Sequence, residues 1–317
     1  MSAAVLVIDP DPQGREAVVS ALSGQDVVVD AVAAVAAAPE RPAWALVIAN
    51  YDRLPVDERT LFLTRFERER GAGQMLLLTS SWDRRAFAAM FGEQRLMNVV
   101  ASDRGVRVED LRVTLEKILS GRIFGMSRYF APDVRPEVMT LRRSSERHDA
   151  LQKVVACLEA SAVPARFVEQ LRLAADELMT NAFYNAPTDE HGARPFAARH
   201  RSEEVVLPEG CAVEVEVVVV NGQIGLLVAD AFGSLAPATI VGYLGKCLRA
   251  GADQVDSKEG GAGLGLFYVF EAVSHFVINV CQGRRTEMIG LLDASVRYRE
   301  FAQRPKSFNV FVEVPGA

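Results

Sequence analysis

Between residues 5 and 101 the sequence repeatedly sets a short, unbroken apolar run ahead of a stretch with helical character, and this alternation constrains the fold more than any other feature. Val5 to Ile8 is the first such run, ending at Asp9-Pro10-Asp11-Pro12, which reads as a buried strand and a loop. A helix follows around Arg15 to Leu22, Val27 to Val29 makes a second strand, an Ala-rich helix is expected through the thirties, and Trp44 to Ala49 makes a third strand closing at Asn50. Met75 to Thr79 and Leu96 to Ala101 continue the strands, with helices around Asp57 to Arg70, Asp83 to Phe91 and Val108 to Leu119. Such alternation implies a doubly wound parallel sheet whose ligands sit at the carboxyl ends of the strands.

The chain has 317 residues, which fits two domains of ordinary size. Residues 1–122 form the first, 123–137 a linker holding Gly125, Pro132 and Pro136, and 138–317 the second. The formal net charge of -6 gives no electrostatic footprint for nucleic acid, whose binding rests on neutralising phosphates. Cys157, Cys211, Cys247 and Cys281 lie far apart with no C-x-x-C pair, so neither a zinc site nor a disulfide framework is suggested. No apolar run approaches the roughly 20 residues that span a bilayer, and the N-terminus lacks a basic, then apolar, leader. A cytoplasmic protein with no membrane or nucleic-acid partner is expected.

Past residue 137 the pattern changes. A strand near Val138 to Leu141 leads into a helix from about Glu146 to Ala160, and Pro164 opens another. Along that helix Phe167, Leu171, Ala174, Leu178 and Ala182 recur every three or four places as a buried stripe, and Glu177 and Asn181, four apart, share one face beside it. After a polar stretch from Pro187 to Pro208, Val213 to Val220 alternates with Glu214 and Glu216, Asn221-Gly222 supplies a hairpin turn, and Ile224 to Ala229 returns. That strand ends at Asp230-Ala231-Phe232-Gly233, and a loop-rich interval runs from there to Glu259. Gly260-Gly261-Ala262-Gly263-Leu264-Gly265-Leu266 then enters a helix through Ala272, combining a backbone open to close approach with the donors and dipole of a helix N-terminus. Val277 to Cys281, Glu287 to Leu292 and Phe308 to Val314 complete a mainly antiparallel sheet, and helices on one face of it make an α/β sandwich.

The order and spacing of the first half resemble the receiver domain of bacterial response regulators. The resemblance implies a magnesium site at the acids after the first strand, where Asp9 and Asp11 stand but Pro10 replaces a second adjacent carboxylate. It also implies a phospho-accepting aspartate at the end of the third strand, where this chain has Asn50, with Asp52 two residues on. Thr79 matches the hydroxyl position after the fourth strand, while the lysine expected after the fifth is missing from Ala101-Ser102-Asp103-Arg104. A receiver-like domain that docks or dimerises without phosphoryl chemistry is the expectation.

In the second half, Asp176-Glu177-Leu178-Met179-Thr180-Asn181-Ala182, Asp230-Ala231-Phe232-Gly233 and Gly261-Ala262-Gly263-Leu264-Gly265-Leu266 resemble, in order, the N, G1 and G2 boxes of the GHKL ATPase superfamily. The resemblance implies a Bergerat-type α/β sandwich that binds ATP and Mg2+, with Asn181 as the magnesium ligand and Asp230 accepting from the adenine amino group. Gly263 and Gly265 would admit the phosphates, with Gly233, Gly261 and Leu264 in the same boxes. Glu177 takes the place of the general base, or is a solvated helix carboxylate; Asn185 either lines the pocket or caps the helix. The G1 box usually reads D-x-G-x-G, but Phe232 and Ser234 occupy its glycine places, so Phe232 either stacks near the base or crowds it.

Strand, helix, short turn and N-box helix in this order look like the anti-sigma serine kinases, which phosphorylate a serine on a small STAS-domain antagonist. A partner of that kind, a sigma factor or another signalling protein is implied, and a homodimer is compatible with it. The interval from Ser234 to Glu259 would be the lid, with Lys246, Arg249 and Lys258 near phosphates or simply solvated. The basic residues between Arg284 and Lys306 form either a docking surface or an extended hairpin. Two alternatives are carried: a non-catalytic module in which ATP gates a protein interface, and an atypical histidine kinase acting through His148, which lacks the two-helix hairpin such kinases need.

Overall fold

The computed structural model describes residues 2–40, 43–66, 74–81, 83, 87–88, 97–101, 108–250 and 262–313. In the first half, strands β1 (Ala3–Ile8), β2 (Val27–Val32), β3 (Leu46–Asn50), β4 (Gln74–Thr79) and β5 (Asn98–Ala101) are all parallel and lie in the order β2-β1-β3-β4-β5. This is the receiver-like, doubly wound order, with its switch point between β1 and β3. Alternation along β1 explains the two layers. Val5 and Val7 face α1 (Pro12–Ala21) and α3 (Val108–Ser120), while Leu6 and Ile8 face the side covered by Phe62 and Phe66 of α2 (Val56–Phe66). Helix α1 starts where Asp11 accepts a hydrogen bond from Gln13 N and Pro12 takes the first turn.

The helix expected through the thirties is absent; a single 3-10 turn, Val35–Ala37, stands there. Ala38, placed before Pro39, is extended (φ −66°, ψ 130°), as the proline ring demands of its predecessor, so alanine content cannot propagate a helix. Side chains of α2 fix the turn instead: Glu58 accepts from Val35 N, and Arg65 donates to the carbonyls of Val35 and Ala38. The expected helix 83–91 lies largely outside the described residues.

The second half contributes β6 (Glu137–Leu141), α4 (Arg147–Ala160), α5 (Ala165–Thr180), β7 (Val213–Val220), β8 (Gln223–Asp230), α6 (Pro237–Ala250), α7 (Ala262–Ala272), β9 (His275–Cys281), β10 (Arg285–Asp293), the short α8 (Tyr298–Phe301) and β11 (Ser307–Glu313). Its strand order is β11-β9-β10-β8-β7-β6, antiparallel throughout except for the parallel pair β11 and β9. Asn221 (φ 50°) and Gly222 (φ 79°) make the hairpin turn with the left-handed pair their types allow. The stripe of α5, with Ala150, Val154 and Leu158 of α4, packs on one face of this sheet against Val213, Val215, Val217, Ile224, Leu226 and Val228.

The two halves form one sheet. β11 pairs antiparallel with β5 (Phe308 opposite Val99, Asn309 opposite Asn98), giving eleven strands in series. At the seam Asn309 Nδ2 donates to Asn98 Oδ1 at 3.0 Å, and its Oδ1 receives Thr114 Oγ1 at 3.3 Å and lies 2.5 Å from His275 Nε2. The segment 123–137, expected as a linker, is folded in: Ile123, Met126 and Tyr129 are buried and, with Val113 of α3, cover the face of the second half opposite α5. Lys117 of α3 enters the same layer, its Nζ 3.4 Å from Asn279 Oδ1 and over the rings of Tyr129 and Phe311 at 4.9 and 5.3 Å. No helix among the described residues is long and apolar enough to cross a membrane.

Candidate functional site

Helix α5 carries the first group of site residues, and its end departs from regular geometry. From Asn181 to Asn185 the backbone widens into a π turn, a feature that recurs at functional sites because it re-aims side chains. Asn185 is therefore part of the helical run and no cap. Asn185 Nδ2 donates to Asn181 Oδ1 (2.6 Å), and Asn181 Nδ2 donates to Glu177 Oε1 (2.9 Å), so three side chains at four-residue spacing form a relay along one face. Arg201 reaches Asn185 Oδ1 at 3.4 Å, and Arg147 pairs with Asp176 beside Glu177.

Asp230 closes β8 as a buried carboxylate. Its Oδ1 accepts from the backbone N–H of Phe232 (2.8 Å) and Gly233 (3.2 Å), which fixes the turn leaving the strand. Burial pushes its pKa up to about 6, with those two hydrogen bonds pulling the other way. Burial also raises the pKa of Glu177, opposed by the hydrogen bond from Asn181.

Asn181, Asn185 and Asp230 line one cavity of about 150 Å³, together with Tyr243 of α6, Leu266 of α7 and Met288 of β10. Glu177 and Gly265 do not line this cavity; they meet on the wall of a separate groove, where a β-carbon on Gly265 would collide with the Glu177 carboxylate. That groove, of about 710 Å³, is open and runs between α5 and α7, with Leu173 and Tyr268 exposed along it.

Other expected residues fall elsewhere. Gly233 (φ 58°) does not line the cavity; it is pressed against the turn joining β9 to β10, where a β-carbon would meet Cys281 O and the amides of Arg284 and Arg285. Phe232 neither stacks in the cavity nor crowds it, because its side chain is buried in the core. Gly261 lies outside the described residues, and Gly263 and Leu264 belong to the first turn of α7. The lid expected as a loop is α6 over Pro237–Ala250, whose apolar stripe Ile240, Val241, Leu244 and Leu248 packs into the core; 251–259, with Lys258, lie outside the described residues. Lys246 sits on α6 over the Tyr243 ring at 5.8 Å.

In the basic stretch after Arg284, Arg285 pairs with Glu214 and Glu287, Arg304 with Glu300, and Lys306 donates to the carbonyls of Glu271 and Val273, while Arg284, Arg297 and Arg299 are exposed. His148 is exposed on α4, 2.9 Å from Gln152 Nε2 one turn on. Two cations that sequence reasoning missed, Arg194 and Arg201, come from the irregular stretch 187–208; Arg194 lines the cavity and reaches Ser234 O at 3.4 Å. That stretch is tied down through Tyr184, whose hydroxyl donates to Glu203 O (2.6 Å).

A second constellation occupies the carboxyl edge of the parallel strands. Asp9 follows β1, Asn50 ends β3 and Thr79 ends β4, as the sequence indicated. Asn50 Nδ2 donates to Asp9 Oδ2 (2.9 Å), and Thr79 Oγ1 donates to Asp52 Oδ2 (2.7 Å). Arg53, unremarked in the sequence, donates from Nη1 to Asp9 Oδ2 (3.2 Å) and Asp11 Oδ2 (2.8 Å).

No family model matches this chain, and no curated protein matches it. Partial likeness to solved structures exists. The signal receiver domain of an HD domain-containing protein from Pseudomonas fluorescens is 17% identical, over 38% of this chain and 97% of that one, with a TM-score of 0.32. The response regulator DrrB of Thermotoga maritima, an OmpR/PhoB homolog, is 14% identical over 49% and 72%, with a TM-score of 0.34. A CheY-like receiver domain protein from Methanospirillum hungatei is 16% identical over 38% and 96%, with a TM-score of 0.33. The order β2-β1-β3-β4-β5 of the first half is the one that flavodoxin-like and CheY-like folds share.

Proposed function

We propose that the second half is a GHKL-type ATP-binding domain with the Bergerat α/β sandwich, and that the protein is a signalling regulator of the anti-sigma serine-kinase kind. On this reading it binds ATP with Mg2+ and phosphorylates or sequesters a protein partner, a STAS-domain antagonist, sigma factor or other signalling protein. The observation that carries the reading is convergence: Asn181, Asp230 and Leu266 of α7, from three separate sequence motifs, line one cavity. A cavity of this size takes one aromatic ring system, which suits a purine and leaves the phosphates to lie toward the N-terminus of α7. Asp230, ionised above about pH 6, presents only acceptors and so selects an amino-bearing base.

Bound ATP would supply the transferable phosphoryl group, and magnesium the charge that neutralises it. Within the chain, Asn181 Oδ1 accepts one hydrogen bond from Asn185 and keeps a second lone pair for a cation. Glu177, with its pKa raised by burial toward the working range of a general base and its orientation set by Asn181, takes the proton of the partner's serine hydroxyl. The first half, with an amide in place of a phospho-accepting carboxylate, acts as a docking element and is not itself phosphorylated.

Calorimetric titration with ATP and Mg2+ tests the reading. Heat is expected for the wild type and for Glu177→Gln, with magnesium-dependent binding weakened in Asn181→Ala; no heat for the wild type removes the nucleotide claim. With binding established, phosphotransfer lost in Glu177→Gln supports the kinase, whereas an unchanged biological phenotype of that variant favours a non-catalytic, ATP-gated interface.

A further inference from the structure

Three observations at the carboxyl edge of the parallel strands belong together. Asp9 is almost wholly buried (1% exposed), and among the described residues the cation paired with its carboxylate is Arg53, Arg15 reaching its backbone carbonyl. The guanidinium bridges it to Asp11 from a 3-10 turn, Tyr51–Arg53, that directly follows β3. Gly14 clears the space, since a β-carbon there would collide with Asp9 and lie 2.6 Å from Arg53 Nη1. Next to Arg53, Asp52 Oδ2 gathers Thr79 Oγ1 (2.7 Å), Ser80 N (2.6 Å) and Ser81 N (3.0 Å), the donor set of an oxyanion cradle. Arg59 of α2 locks the turn by donating to the carbonyls of Asp52 (2.7 Å) and Leu54 (2.9 Å). Finally, Asn50 Oδ1 is buried without a hydrogen-bond partner among the described residues, on the same amide that donates to Asp9.

We propose that the turn Tyr51–Arg53 is an internal ligand pair. Arg53 fills a site otherwise suited to a divalent cation, and Asp52 fills a cradle otherwise suited to an inorganic oxyanion. Asp9, Asp11 and Asn50 Oδ1 are the oxygen donors a hard cation takes, and the Arg53 guanidinium now supplies the positive charge between the two carboxylates. The half thus carries its own cation and its own anion, covalently, and its state is fixed where free ligands would make it switchable. This inference stands independently of the nucleotide reading of the second half.

The test is thermal unfolding of the full chain without nucleotide, with MgCl2 or inorganic phosphate as probe. The wild-type midpoint is expected to be unmoved by either. Arg53→Ala is expected to melt lower and to recover with Mg2+ saturably, a response absent from Arg53→Ala combined with Asp9→Asn. Asp52→Ala is expected to gain a rise in midpoint with phosphate. If Arg53→Ala does not fold, Arg53→Gln, which keeps length without charge, carries the same expectation. A wild-type rise with Mg2+ that Asp9→Asn abolishes would overturn the proposal, as would a folded Arg53 variant blind to Mg2+. A folded Asp52→Ala blind to phosphate removes the anion half of it.

Discussion

Gly265 lies directly against the carboxylate of Glu177, with no room for a side chain between α7 and α5. In an ordinary helix, Gly→Ala gains about 1 kcal/mol. Here the added methyl must displace Glu177 from Asn181, so Gly265→Ala is expected to lose about 1–3 kcal/mol through overpacking. Chemical denaturation reads the sign, and a stabilised variant would show that the two helices separate easily.

Asp230 sets a pH dependence whose sign is unusual for a carboxylate. Its folded pKa of about 6 lies above its ordinary value of 3.8, so between those limits the folded chain holds more protons than the unfolded one. Stability contributed by the neutral acid is complete below about pH 4 and lost as pH rises through 6, by about 3 kcal/mol in all. Asp230→Asn keeps the acceptor for Phe232 and Gly233, so it is expected to be more stable than wild type at pH 7 and to lack that slope. Melting curves from pH 4 to 8 decide it. The same variant is expected to lose ATP binding.

Lys117 is the complementary case. Burial lowers its pKa to about 7, partly offset by the Glu287 charge, so the folded chain holds fewer protons than the unfolded one between pH 7 and 10.5. Stability therefore rises across that window, and the cost of a buried ammonium is borne in full below it. Lys117→Met is expected to raise the melting midpoint at pH 6.5 and to flatten the alkaline rise. A variant that melts lower at pH 6.5 would mean that the rings of Tyr129 and Phe311 compensate the desolvation completely.

Asn309 holds the seam between the halves. Asn309→Ala removes the buried hydrogen bonds that this amide makes with Asn98, Thr114 and His275, at a cost of about 1 kcal/mol for each. Scanning calorimetry should find one transition for the wild type and a lower, broader or divided one for the variant. Two resolved transitions in the wild type would mean that the shared sheet does not couple the halves.

Much of this architecture is written in residues whose environment is uniform. β1 and β3 are legible because Val5 to Ile8 and Leu46 to Ala49 are apolar on both faces, and β7 and β8 because alternation and Asn221-Gly222 leave one register. Asn181 and Asp230 are legible as motif residues, and their shared cavity could be anticipated from order along the chain. The seam was not legible, since Asn98, Lys117, Asn279 and Asn309 carry polar side chains that composition assigns to the surface and only mutual pairing buries. Helix α6 was legible in its stripe of Ile240, Leu244 and Leu248, but the expected lid obscured it. Arg53, Arg194 and Arg201 had no periodic signal at all, because each acts from a turn or an irregular segment whose path is set by tertiary contacts.

The position of β11 in the sheet has a consequence for how the chain must be made. It follows the other described strands along the chain yet lies in the middle of the sheet, between β5 and β9. Until it emerges, a nascent polypeptide holds two partial sheets, each with a bare edge able to recruit a stray strand. Deleting Ser307–Glu313 should therefore cost solubility out of proportion to the 7 residues removed.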